Sequence, residues 1–279
     1  MTTAVAPDLD ALASLLAGAR NVLVLTGAGV STDSGIPDYR GPDGTRRVTP
    51  VHYQEFVRSP DARRRYWARA FVGWQRFAAA APNDGHRAVA RLQGAGALGA
   101  LITQNVDGLH HAAGSRDVVE LHGTLETVVC VGCGQRGPRT AVVERMRSLN
   151  PGFRPEAREI RPDGDVVIDE LDVARFVIPA CPGCDADLLK PDVVFFGESV
   201  PKPRVAQCLQ LTDAADVLLV LGSSLRVYSG YRFVRRAAER GAAVAIVTRG
   251  PSRGDPEATM RLDAPLGEVL PALADRLAA

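Results

Sequence analysis

The chain has 279 residues, 46% of them hydrophobic and 23% charged, which is ordinary for a globular protein and long enough for one large domain with a satellite or two small ones. Its net charge of +1 gives no electrostatic reason to expect nucleic acid or an anionic membrane as partner. No apolar run reaches the roughly 18–20 residues needed to span a bilayer.

Met1 to Asp10 lacks the basic-then-apolar pattern of a secretory signal and the Arg- and Ser-rich look of a transit peptide, so a cytoplasmic protein is the simplest reading. Asp8 to Ala19 carries apolar residues at Leu9, Leu12, Leu15 and Leu16 behind the start signals Pro7 and Asp8, and reads as an amphipathic helix. Val22 to Leu25 reads as a buried strand of a parallel sheet. It runs into Gly27-Ala28-Gly29, where the backbone turns sharply and its N–H groups approach a phosphate. A dinucleotide-binding dehydrogenase would place a third glycine at position 32, where this chain has Thr32. The acidic residue expected about 20 residues on is also missing, since 41–80 does not read as a strand. The loop therefore suggests a phosphate-bearing nucleotide without hydride transfer.

The Gly/Pro/Arg-rich stretch 41–50 reads as a mobile loop, and 51–81 as two or three helices. Asn83 and Asp84 cap a helix running to Leu92. A second strand, Leu98 to Ile102, leads into Thr103-Gln104-Asn105-Val106-Asp107-Gly108-Leu109-His110, which puts amides and a carboxylate where open α/β sheets bind ligands. Glu120-Leu121-His122-Gly123 follows. Residues 125–189 hold four cysteines, several prolines and no long buried strand. The sheet is expected to resume at Val193 to Phe196, followed by a helix near 202–214, a strand at Val217 to Leu221, a helix from Gly230 to Arg240, a strand at Ala243 to Val247 and a last helix from Leu266 to Leu277. This alternation predicts an α/β fold, a doubly wound parallel Rossmann-like sheet with a smaller inserted zinc-binding module. The expected organisation is a nucleotide-binding domain from 1–50, 82–124 and 190–279, a helical insertion at 51–81 and the module at 125–189.

Cys130-x-x-Cys133 and Cys181-x-x-Cys184 suit four thiolates on one tetrahedral zinc ion. A lone C-x-x-C would read as a cytosolic redox pair, but two such pairs favour zinc. With all four positions filled, no site is left for water, and the metal is structural. Cys208 lies in a helical pattern as a core thiol. Packed or hydrogen-bonded roles are the default for His52, His86 and His111.

In order, GAGVSTDSGIPDYRG (27–41), TQNVDGLH (103–110), LHG (121–123), the cysteine pairs, KPDVVFFGE (190–198) and LGSSLRV (221–227) closely resemble the sirtuins, the NAD-dependent protein deacylases. RYWARAFVGW (65–74), LNPGF (149–153), PDGDV (162–166) and SSLRVYSGYRF (223–233) look most like the class II branch. The resemblance implies an acyl transfer from protein lysine to ADP-ribose with release of nicotinamide. His122 would be the base that activates a ribose hydroxyl, a role suited to an imidazole titrating near neutrality. Asn105 and Asp107 would hold the nicotinamide amide, the ribose and a water near C1′, and Gln104 the ribose. Ala28 and Ile36 would wall the nicotinamide pocket. Gly27, Gly29, Ser31, Gly35, Pro37, Asp38, Tyr39, Arg40 and Val106 complete the NAD site on that side, with Arg40 able to pair with phosphate. Asp38 after Pro37 is also good turn chemistry.

Gly222, Ser223 and Ser224 end a strand where hydroxyls meet phosphate or cap the next helix. Thr248, Arg249 and Gly250 would face the adenosine ribose. Most relatives place an asparagine at 248, so Thr248 loses an amide. Leu266 would meet adenine through its backbone. Val194, Phe195, Phe196, Gly197 and Glu198 match the segment that pairs with an extended acyl-lysine peptide as an added strand. Tyr66 and Arg69, three apart on one helix face, suggest a site for an acidic acyl group, or else are two ordinary surface residues. An ADP-ribosyltransferase on the same site is the alternative activity. A zinc module that senses NAD without chemistry is the alternative class.

Overall fold

The computed structural model describes residues 5–39, 45, 50–157 and 164–278. The stretches 41–44 and 46–49, Arg40, and Pro162 and Asp163 of PDGDV lie outside them. In chain order the helices and strands are α1 (Val5–Ala17), β1 (Val22–Thr26), α2 (Tyr53–Arg58), α3 (Pro60–Ala78), α4 (Asp84–Gly94), β2 (Leu101–Thr103), α5 (Leu109–Ala112), β3 (Val118–Glu120), β4 (Gly123–Cys130), β5 (Arg136–Pro138), α6 (Arg139–Leu149), α7 (Glu170–Arg175), β6 (Leu189–Val193), α8 (Lys202–Ala214), β7 (Val217–Leu221), α9 (Tyr228–Glu239), β8 (Ala243–Val247), β9 (Met260–Leu262) and α10 (Leu266–Leu277).

Six strands form a parallel sheet in the order β3-β2-β1-β7-β8-β9. β1 and β7 are buried along their whole length, as unbroken Val/Leu runs require when helices cover both faces. On one face α1, α4 and α10 pack through Leu12, Leu16, Val89, Leu92, Leu270 and Leu273. On the other, α8 and α9 contribute Cys208, Phe233, Val234 and Ala237. Cys208 is thus the core thiol expected, and burial pushes it up to about 11. Asn83 accepts the His86 N–H and opens α4, while Ser59 and Pro60 start α3.

Two expectations need correction. Val193 to Phe196 is not a strand of the parallel sheet. β6 ends at Val193 and pairs antiparallel with β4 in a separate sheet of order β5-β4-β6. β4 is also an eight-residue strand that begins just ahead of the 125–189 stretch and runs well into it, where no long strand was expected. Its two faces alternate between buried and partly exposed, so it lacks the unbroken apolar signature of the parallel strands. β2 is shorter than Leu98 to Ile102, although Gly99 N–H and the Ala100 carbonyl already bond to β1. The small sheet and the helices α2 and α3 share one core, in which Phe56, Tyr66 and Trp67 pack with Leu125, Val128, Leu189 and Phe195. No helix among the described residues is long and apolar enough to cross a membrane.

Candidate active site

The direction of strand order reverses between β1 and β7, and open α/β sheets bind ligands outside the carboxyl ends of the strands at such a point. A cleft of about 1260 Å³ lies there. Its walls include Gly27, Ala28, Gly29, Ser31 and Gly35 to Tyr39 after β1, and Gln104 to Asp107 after β2. Gly222 to Ser224 after β7, Thr248 and Arg249 after β8, and Leu266 at the start of α10 close it. Gly250 falls outside the cleft, and its N–H is held by Asp263 Oδ1 at 3.2 Å. Thr248 is buried with its hydroxyl 3.5 Å from the Arg249 carbonyl, so it offers little side-chain reach.

The glycines of the first loop have a physical reason other than chain reversal. A Cβ on Gly27 would stand 2.8 Å from Ser223 Cβ, and one on Gly29 would stand 2.9 Å from Gly222 Cα. Gly29 N–H also bonds the Gly222 carbonyl at 2.9 Å. Small residues therefore let the β1 and β7 loops close against each other and form one continuous wall, with Arg249 as a cation beside it. A cradle of backbone, hydroxyls and guanidinium groups fits a dinucleotide with its charged phosphates.

His122 lines the cleft beside this wall. Its Nδ1 lies 2.9 Å from the Gln104 carbonyl. A carbonyl only accepts, so Nδ1 carries the proton and Nε2 carries the lone pair. Burial drives the imidazole down to about 4, only partly opposed by the Gln104 bond, with Arg204 and Arg232 adding to the shift. His122 is thus neutral at pH 7, ready to accept a proton at Nε2.

Asn105 and Asp107 converge on Ser31, which is 1% exposed. The Asn105 amide donates to Gly27 O at 3.1 Å and to Ser31 Oγ at 3.0 Å. The Ser31 hydroxyl donates to Asp107 Oδ2 at 2.7 Å, and Leu109 N–H donates to Oδ1 at 2.9 Å. Both N–H bonds of Asn105 are thereby used, which leaves its Oδ1 as an acceptor. Gln104 behaves alike, donating to Thr26 O at 3.1 Å and Ser223 Oγ at 2.8 Å. Behind Ser31 lie His86, fully buried, with Nε2 at 3.5 Å, and His110, packed on His86 at 4.9 Å. Burial lowers both, His110 to about 3.

Val194 to Glu198 line the opposite wall. Val194 N–H bonds the His122 carbonyl at 2.7 Å, so His122 and this segment are tied together. Glu198 folds back to accept Phe195 N–H at 2.8 Å and the buried Lys190 ammonium at 3.1 Å. Tyr66 and Arg69 do not reach the cleft. Tyr66 is 2% exposed within an aromatic cluster with Phe56, Trp67 and Phe195. Arg69 pairs with Glu170 at 3.0 Å. Helical spacing put them on one face, but that face is turned away from the cleft, Tyr66 into the core it shares with Trp67 and Phe195 and Arg69 toward Glu170, so the acidic-acyl site is withdrawn.

The four Sγ atoms of Cys130, Cys133, Cys181 and Cys184 lie within 4.8 Å of one another, with Cys130–Cys184 at 3.6 Å and Cys133–Cys181 at 3.7 Å. A tetrahedral ion with zinc–sulfur bonds of about 2.3 Å needs sulfurs about 3.8 Å apart, so the thiolates fit one zinc ion.

Sequence reading missed Ser229, Arg232 and the α8 residues Lys202, Val205 and Leu209, which all line the cleft. It also left His86 as an ordinary histidine. The signal available was Asn83-x-x-His86, a capping pair that fixes the ring behind the first loop.

A family model described as Sir2 family matches residues 27–229. The chain is 54% identical over 277 residues to NAD-dependent protein deacetylase 1 of Streptomyces coelicolor, covering 99% of this chain and 91% of that one. It is 52% identical over 271 residues to NAD-dependent protein deacetylase 1 of Mycobacterium avium, covering 95% and 94%. Among solved structures, one from work on the mechanism and regulation of Sir2 enzymes matches with a TM-score of 0.77 at 32% identity, covering 97% and 98%. Another, of Sir2 with a p53 peptide and NAD+, matches with a TM-score of 0.76 at 31% identity, covering 96% and 97%.

Proposed function

The chain belongs to the Sir2 family and is an NAD-dependent protein deacetylase, and we propose that His122, Asn105 and Asp107 carry its chemistry. When bound, NAD supplies an electrophilic ribose carbon once nicotinamide departs. The Gly27 loop, Ser223, Ser224 and Arg249 hold its phosphates and adenosine side. Asn105 Oδ1 and the Asp107 carboxylate, fixed by Ser31, orient the amide, the ribose and the reacting face. His122 Nε2 accepts the proton of the ribose hydroxyl that attacks the acyl group. The acyl-lysine peptide lies along Val194 to Glu198 as an added strand. The single observation carrying this reading is the tautomer of His122, pinned by the Gln104 carbonyl in a ring that lines the cleft.

Nucleic acid and membranes have no part in this reading, which the near-neutral charge supports. A cytoplasmic setting accords with four cysteines kept as free thiols for a metal.

Incubation with NAD and an acetyl-lysine peptide should yield nicotinamide and O-acetyl-ADP-ribose, and His122→Ala should abolish the second product. Label transferred to protein instead of acyl-ADP-ribose would assign the site to ADP-ribosyl transfer. No nicotinamide at all would refute the reading.

A further inference from the structure

Ser229 stands in the first turn of α9, and its Oγ lies 2.7 Å from Nε2 of His122. Since Nδ1 holds its proton against the Gln104 carbonyl, Nε2 has only a lone pair to offer, and the Ser229 hydroxyl is the donor. The atom that must take the ribose proton is therefore already occupied by an O–H group. Ser229 and His122 both line the cleft. The contact is held from three sides. Gln104 fixes the ring through its carbonyl and reaches Ser223 through its amide. Gly230, next in α9, packs so closely on Gln104 that a Cβ there would stand 2.4 Å from Oε1. Ring, carbonyl and helix start thus form one triangle, and Ser229 has little freedom to leave. Its position at the amino end of a twelve-residue helix also favours negative charge building on Oγ.

We propose that Ser229 relays the proton between the ribose hydroxyl and His122, which extends the reading of His122 as base and rests on it. In the step, the ribose O–H bond breaks as its oxygen bonds the acyl carbon, and that carbon's π bond to the lysine nitrogen breaks, its electron pair moving onto the nitrogen. That proton goes to Ser229 Oγ. The original Ser229 O–H bond breaks, and its proton forms the Nε2–H bond of His122. Serine ends neutral and the imidazole ends as imidazolium, balanced by the lysine nitrogen, which loses its positive charge when it takes the π pair. The imidazolium is a good acid in this setting, because it is desolvated and near Arg204 and Arg232. It returns its proton to the departing lysine amine.

The test compares wild type, Ser229→Ala and Ser229→Thr in two assays with an acetyl-lysine peptide. Exchange of labelled nicotinamide into NAD reports bond cleavage before any proton reaches His122. Formation of O-acetyl-ADP-ribose reports the whole sequence. Ser229→Ala should lower product formation about a hundredfold while exchange stays within about twofold. Ser229→Thr, which keeps the hydroxyl, should recover most of the loss. Product formation by wild type in mixed light and heavy water should follow a curved proton inventory, reporting two protons in flight. Wild-type product formation by Ser229→Ala would overturn the relay, as would a parallel fall in exchange. A His122→Ala variant that exchanged nicotinamide and still formed product at the wild-type rate would instead overturn the underlying reading of the base.

Discussion

Gly123 follows His122, the proposed base, and the structure says what an alanine there would do. Its φ is +82°, and an added Cβ would stand 2.0 Å from the Asp192 carbonyl oxygen and 3.1 Å from Val193 Cα. Ordinary contact begins near 3.4 Å, and both neighbours are backbone, so β6 must retreat by more than about 1 Å. The left-handed conformation costs about 1 kcal/mol. The retreat also breaks the 2.7 Å bond from Val194 N–H to the His122 carbonyl, about another 1 kcal/mol, and strains the Gly123–Val193 pairing by a similar amount. Gly123→Ala should thus cost about 3 kcal/mol and lower Tm by roughly 6–9 °C. The displaced segment is the one proposed to pair with peptide, so KM for the acyl-peptide should rise while nicotinamide-site affinity changes less. Gly241→Ala is the control, with φ +77° and nothing within 4 Å of the added carbon. It should lose only the backbone part. Thermal melts and steady-state kinetics on both variants decide the matter. If Gly123→Ala melted with Gly241→Ala and kept its KM, the steric reasoning would be wrong.

Acid should destabilise the fold through its buried histidines, His122 among them with His110 and His86. The folded value of His122, about 4, lies below the ordinary 6.5, so the unfolded chain binds the proton first and stability falls as pH drops through that window, by about 3 kcal/mol when complete. Urea unfolding at pH 7 and pH 4.5 measures this, and unchanged midpoints would contradict it. Chelation of zinc should lower Tm and activity together, with both recovered on adding zinc back, since the knuckle is closed to substrate. Glu198→Gln should raise peptide KM more than it lowers kcat, because it leaves the Lys190 ammonium buried beside the peptide segment without its carboxylate. Arg69→Met should leave the ranking of acetyl, acidic and long-chain acyl peptides unchanged, since Arg69 holds Glu170 away from the cleft.

The parts of this fold that were legible in the sequence are those where local chemistry and tertiary role coincide. Val22–Thr26, Val217–Leu221 and Ala243–Val247 are apolar runs because helices bury both faces, and the run is itself the signal. β3 and β9, of three residues each, lie at the sheet edges and are too short to carry a pattern. β4 was lost because it belongs to a sheet with one face less covered. The cysteines were legible because spacing and ligand chemistry are local. His122 drew its weight from the resemblance to a family, because a single histidine has no pattern. Tyr66 and Arg69 failed for a clear reason. Spacing three apart says that two side chains share a face, and nothing local says whether that face meets solvent, a cleft or a core. Ser229 was invisible because its partner lies 107 residues away.

The metal and the base are linked through one ribbon. β4 begins beside His122 and ends at Cys130, one of the four clustered cysteines. β6 begins five residues after Cys184 and ends beside Val194, the first residue of the peptide wall. The two strands pair at Cys130–Leu189, Val129–Lys190 and Val128–Pro191, and again at Gly123–Val193 after an irregularity. Eight residues of strand span about 26 Å, so the ion is too far from the imidazole to take part in its chemistry. It acts on register instead. A strand slipped by one residue turns every side chain to the other face, which here would move the His122 carbonyl away from Val194 N–H. Trp67 supplies a second clamp, with Nε1 donating to the Leu189 carbonyl at 2.8 Å from the helical side. Loss of zinc therefore frees one end of the ribbon while the aromatic core still grips its middle. The first function to weaken is the hold on peptide, ahead of the dinucleotide cleft, whose walls are built mainly from the parallel sheet.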